Sequence, residues 1–109
     1  MNYIAKVFLL ISITPFNLYS DNQIIIDVRT ESEWTSGHLE TAIHIPLSDI
    51  DSKLDSLEKY KDTDIYLYCA AGRRAEVARN ILIKAGFKNI TNAGGIKDAS
   101  ELLNFKIIE

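Results

Sequence analysis

The sequence predicts an α/β domain: a small, mostly parallel sheet with helices on both faces. Short β-branched or aromatic runs alternate with segments of helical periodicity, the pattern of strands joined by crossover helices. The first run, Ile24-Ile25-Ile26-Asp27-Val28, is apolar at every position but one, so that strand is buried on both faces, as in a parallel sheet. The chain has 109 residues, of which 47% are hydrophobic and 25% charged, enough for one domain with a modest core. Collagen, low-complexity disorder and a multidomain enzyme are excluded, and no internal repeat or linker is visible.

The first twenty residues differ from the rest. MNYIAK carries one Lys and no acid, Val7 to Phe16 is apolar, and acids begin only at Asp21. Residues 1–20 are therefore expected to be a secretory signal peptide cleaved after Ser20, although Leu18 stands where a small residue is preferred, and residues 21–109 the domain. The apolar run falls well short of the roughly 20 residues that span a bilayer, so no stable membrane anchor is expected.

After the first strand, Thr30-x-x-Glu33 forms a capping box that starts a short helix at Glu31, and Gly37 stops it. Ala42-Ile43-His44-Ile45 is a second strand, closed by Pro46, which has no amide hydrogen to extend a ladder. Ser48 is expected to cap a helix with Ile50, Leu54 and Leu57 inward. Ile65-Tyr66-Leu67-Tyr68 is a third strand running directly into Cys69, followed by the loop Ala70-Ala71-Gly72-Arg73-Arg74. The next helix carries Val77, Ala78, Ile81, Leu82 and Ala85 and ends at Gly86. A strand from Lys88 to Thr91, the turn Asn92-Ala93-Gly94-Gly95 and a helix from about Ile96 complete the order.

Charge and cysteine usage narrow the chemistry. Twelve Lys plus Arg against fifteen Asp plus Glu leave a net charge of −3, so no general field favours nucleic acid. One cysteine and two histidines exclude an internal disulfide and a thiolate metal cluster, and neither metal nor cofactor is expected. In parallel α/β folds ligands bind beyond the carboxyl ends of the strands, where Cys69 falls. A cysteine between a buried strand and a helix start faces backbone amides and the positive end of the helix dipole, which lowers a thiol pKa. Arg73 and Arg74 add fixed positive charge, so nucleophile and oxyanion cradle coincide. Cys69 could instead be a small apolar strand end with both arginines solvated; the order strand, Cys, Gly-containing loop, Arg, helix favours chemistry.

Three segments, IIIDVRTESEWTSGHLETAIHIP, YLYCAAGRRAEVARNILIKAGF and NAGGIKD, resemble the single-domain rhodaneses, thiosulfate sulfurtransferases, over residues 24–98. With the leader, the chain is similar to the exported phage shock protein E type of that family. The resemblance implies a rhodanese-like fold and a periplasmic enzyme in which the Cys69 thiolate takes the outer sulfur of thiosulfate. Sulfite leaves, and the persulfide sulfur passes to cyanide or a thiol acceptor. The amides of Ala70, Ala71, Gly72, Arg73 and Arg74, with the Arg74 side chain, would hold the anion. Asp27 and Arg29 would brace the loop or form a structural pair; Gly94 and Gly95 would let the backbone pass close to it or simply turn into the helix. A monomer is expected.

His38 resembles the family's structural G-H turn, while Trp34, Tyr66 and Tyr68 read as core or pocket wall. Thr41 stands where many members have Gly, and Ile96 where Trp is frequent. Related phosphatases place five residues between Cys and Arg; here four separate Cys69 from Arg74, against phosphatase or arsenate-reductase chemistry. A non-catalytic binding module is opposed by the presence of Cys69, and a sulfur relay to a partner protein stays open beside the enzyme.

Overall fold

A computed structural model describes residues 22–109, so the expected leader lies outside the described residues. The main elements are β1 (Gln23–Asp27), α1 (Glu31–Thr35), β2 (His38–Leu39), β3 (Ile43–His44), β4 (Asp64–Cys69), α2 (Arg73–Lys84), β5 (Ile90–Gly95), α3 (Ile96–Leu103) and β6 (Ile107–Ile108). Four strands form one sheet in the order β3-β1-β4-β5 with every neighbour parallel, and β2 pairs with β6 in an antiparallel ribbon.

Strand alternation divides the core into two layers. Ile26, Val28, Ile65, Leu67 and Cys69 pack with Ala75, Ala78 and Leu82 of α2, whereas Ile25, Tyr68 and Ala93 pack with Ala99 of α3. Helices thus cover both faces, as the unbroken apolar runs require. The α1 capping box forms: the Thr30 N–H donates to Glu33 Oε1 at 3.0 Å and the Glu33 N–H to Thr30 Oγ1 at 3.4 Å. At the end of α2 the Phe87 N–H reaches the Leu82 carbonyl and the Gly86 N–H that of Ile83, a Schellman closure.

Three segments differ from the sequence reading. The helix expected from Ser48 is instead a series of 3₁₀ turns, Leu47–Asp49, Asp51–Lys53 and Glu58–Tyr60. Ile50 and Leu57 are buried as expected, but Ser52 and Ser56 donate to carbonyls three residues back, and such Ser- and Asp-rich chain offers the backbone competing partners. β5 runs through the predicted turn to Gly95, because parallel pairing with β4 from Ile65↔Ile90 to Cys69↔Gly95 overrides the poor strand propensity of its glycines. β2 and β6 are two residues each, too short to carry a period. Thr41 holds a left-handed φ of 73°, so this chain keeps at a β-branched residue the conformation a glycine adopts freely.

Candidate active site

β4 is the strand that delivers the cysteine. Its last residue, Cys69, is 1% exposed, with its sulfur turned toward the amino end of α2. The Gly72 N–H donates to Sγ at 3.0 Å. Burial pushes the thiol pKa up, but the amides of Ala75, Ala71, Gly72 and Arg74 outweigh it, so the net shift is downward. Ala75 lies one residue beyond the cradle expected from the sequence; it is simply the next amide in the first turn of α2.

Gly72 makes this turn possible. It precedes α2 with φ +92°, a conformation that places its amide on the sulfur and that an L side chain adopts only under strain. Asn92 on β5 fixes the turn from the adjacent strand: its Nδ2 donates to the Gly72 carbonyl at 2.9 Å, and its Oδ1 accepts from the Gly94 N–H at 2.9 Å. A Cβ on Gly95 would collide with the Ala70 carbonyl oxygen, so close backbone passage, one of the two readings of these glycines, is present. The sequence does not single out Asn92, because an Asn two positions before Gly94-Gly95 reads as an ordinary turn residue.

The two loop arginines diverge. Arg73 is exposed and has no ion pair among the described residues. Arg74 is half-buried; its Nη1 and Nη2 donate to Glu33 Oε1 and Oε2 at 2.8 and 3.0 Å. The Glu33 carboxylate raises the Arg74 pKa, and the nearby Cys69 thiolate adds to the effect. Reciprocally, Arg74 and the Thr30 backbone and hydroxyl hold Glu33 down to about 2 despite partial burial. The sequence marks Glu33 only as a helix cap; its partner 41 positions away leaves no local signal.

Asp27 and Arg29 form a closed unit at the end of β1. Asp27 is fully buried and accepts the Arg29 backbone N–H (2.8 Å), Nε (3.0 Å to each oxygen) and Nη2 (2.8 Å). Arg29 Nη2 also donates to the Gly37 carbonyl at 2.6 Å and its guanidinium lies 5.6 Å from the Tyr68 ring. The Tyr68 hydroxyl in turn accepts the Leu39 N–H at 3.0 Å. These bonds fasten the chain between α1 and β2, which sets where α1 presents Glu33. Trp34 stacks on His38, with ring centres 3.5 Å apart, and on His44 at 4.8 Å. His38 Nδ1 meets the Trp34 carbonyl and His44 Nε2 the Arg29 carbonyl.

Among the described residues no His, Cys, Asp and Glu group could hold a metal, and no helix is long and apolar enough to cross a membrane. A cleft of about 350 Å³ lined by Gln23, Ile24, Ile25, Thr41, Ile43 and Phe105 contains none of the predicted site residues.

Comparison with known proteins agrees with this geometry. The family profile of the Rhodanese-like domain matches residues 17–101, beginning inside the expected leader. The chain is 36% identical over 73 residues to Thiosulfate sulfurtransferase PspE of Escherichia coli, covering 67% of this chain and 70% of that protein. It is 35% identical over 75 residues to the Putative sulfur carrier protein YrkF of Bacillus subtilis, covering 68% of this chain but 40% of that protein. Among solved structures, a rhodanese with anions from E. coli superposes with a TM-score of 0.66 at 34% identity, covering 70% of this chain and 89% of that one. The parallel four-stranded sheet, the loop that wraps the Cys69 sulfur and these matches together show that the chain belongs to the rhodanese-like family.

Proposed function

We propose that the protein is a sulfurtransferase that uses Cys69 to carry sulfane sulfur from thiosulfate to cyanide or a thiol. The observation that carries this reading is the buried Cys69 sulfur at the focus of four backbone amides, with its pKa lowered. The Cys69 thiolate attacks the outer sulfur of thiosulfate. The S–S bond breaks with its electron pair on departing sulfite, leaving a Cys69 persulfide. An acceptor then attacks the outer persulfide sulfur and returns the thiolate; with cyanide the product is thiocyanate. No general base is required, because the nucleophile reacts already ionised. The amides of Ala71, Gly72, Arg74 and Ala75 stabilise charge on the sulfur throughout, and an amide cradle needs no reorganisation as the reaction proceeds. The relative from Escherichia coli named a thiosulfate sulfurtransferase supports the choice of donor.

The site roles follow. Cys69 is the nucleophile, residues 70–74 and Ala75 form the anion cradle, and Asp27, Arg29, Gly94 and Gly95 support it. The leader directs the domain, residues 21–109, to the periplasm, where it acts as a monomer. Intact mass of the exported protein tests the leader: an amino terminus at Met1 removes it.

A relay to a protein acceptor is the second reading, favoured by Val77, which is 49% exposed one helical turn from the solvent-exposed Arg73 at the loop mouth. For the primary reading, thiocyanate formation from thiosulfate and cyanide is compared in the parent and Cys69→Ser. Activity falls to background while the circular dichroism spectrum is unchanged; thiocyanate formation by the variant overturns the assignment.

A further inference from the structure

We infer that Glu33 determines donor specificity: by neutralising Arg74 at the loop, it shifts preference from dianionic donors such as thiosulfate toward monoanionic sulfane donors of the thiosulfonate class. This rests on the sulfurtransferase reading and adds to it which donors the site accepts best.

The geometry is specific. Glu33 receives both terminal nitrogens of Arg74 at 2.8 and 3.0 Å, so the cation nearest the sulfur is matched one-to-one by a carboxylate. The only other arginine of the loop, Arg73, is exposed to solvent and screened. An anion beside Cys69 therefore meets an amide cradle, one neutralised guanidinium and one solvent-exposed cation, a weak field for a second negative charge. The carboxylate is also fixed: its Oε1 accepts the Thr30 N–H and hydroxyl, each at 3.0 Å, so it is built into the first turn of α1 and cannot swing clear. Two further carboxylates near the loop are engaged: Glu76 with Arg79 and Asn92, and Asp98 with the Gly95 N–H at 3.0 Å.

Thiosulfonate transfer balances in the same way as thiosulfate transfer. The Cys69 thiolate bonds to the terminal sulfur of a thiosulfonate monoanion, the S–S bond breaks, and the sulfinate leaves with the electron pair. One thiolate and one monoanion become one persulfide anion and one sulfinate anion, with no external oxidant or reductant.

The test compares kcat/KM for thiosulfate and methanethiosulfonate in the parent and Glu33→Gln. Gln preserves the capping box, so α1 is retained while the charge is removed. Coulomb energy is linear in ligand charge, so a gain of about threefold for the monoanion becomes about tenfold for the dianion. The expected result is therefore a selective rise with thiosulfate that shrinks in high salt. Equal changes for both donors, no change, or a fall confined to thiosulfate overturns the inference. Absence of transfer from either donor in the parent instead contradicts the sulfurtransferase reading itself, so the two failures are distinguishable. A purely structural role for Glu33 would alter thermal stability and both donors alike.

Discussion

Two arginine–carboxylate pairs stand near the carboxyl ends of adjacent strands, and they are built differently. Asp27–Arg29 is sealed: the carboxylate is 0% exposed, four hydrogen bonds join the two residues, and a fifth ties Arg29 to Gly37. Glu33–Arg74 is a single bidentate contact with both side chains about one-third exposed. Burying charges is costly, so a sealed pair persists only where every donor and acceptor is satisfied, and losing one partner is severe. A partly exposed pair contributes little to stability. The first pair therefore holds the chain in shape, and on the proposed reading the second sets the field at Cys69.

The largest effect that separates the two is on stability. Asp27→Asn leaves the Arg29 guanidinium buried without its counter-charge, and urea unfolding is expected to show a loss of about 3–5 kcal/mol. A loss below about 1 kcal/mol would mean that the pair is solvated and the contrast false.

Next comes an effect on activity. Arg74→Ala exposes the uncompensated Glu33 carboxylate to the donor and removes a cation from the sulfur. The expected drop in kcat/KM for thiosulfate is at least about tenfold, the scale of one lost charge-assisted hydrogen bond. Arg73→Ala, acting through solvent, changes it by only about twofold. The Arg74→Ala loss should shrink in a Glu33→Gln background, because the exposed carboxylate is then absent. Equal losses for the two arginines would contradict the assignment of Arg74 as the inward side chain.

The smallest effect probes how firmly the sealed pair's surroundings clamp the backbone. Thr41 follows β2, whose Leu39 N–H is held by Tyr68, and it keeps φ at 73°. Thr41→Gly relieves a left-handed strain of roughly 1–2 kcal/mol, offset by up to about 1 kcal/mol of added unfolded-chain entropy. A small gain in thermal midpoint is expected, and a clear loss would show that the threonine side chain makes a stabilising contact.

Legibility in the sequence follows the range of the interaction. The doubly buried run at Ile24–Val28, the Thr30-x-x-Glu33 cap and the strand–Cys–Gly–helix order are local, and each is present in the structure. The segment after Ser48 has helical spacing at Ile50, Leu54 and Leu57 and packs on the core, but serine side chains that bond carbonyls three residues back accompany 3₁₀ turns in place of a helix. The second function of Glu33 and the clamp from Asn92 to Gly72 depend on pairings 41 and 20 residues apart, which only the folded sheet brings together. Parallel topology makes such pairings non-local, so Cys69 and its loop amides are visible in the sequence, and the side-chain partnerships of Glu33 and Asn92 around them are not.

Conversion of Cys69 to a persulfide is the step on which the rest depends. Intact-mass spectrometry of the purified domain before and after thiosulfate, with Cys69→Ser alongside, tests it most directly. The expected result is a gain of one sulfur, about 32 Da, only when Cys69 is present, removed by cyanide with release of thiocyanate. No adduct from thiosulfate or from methanethiosulfonate, or an equal adduct on the serine variant, would contradict it.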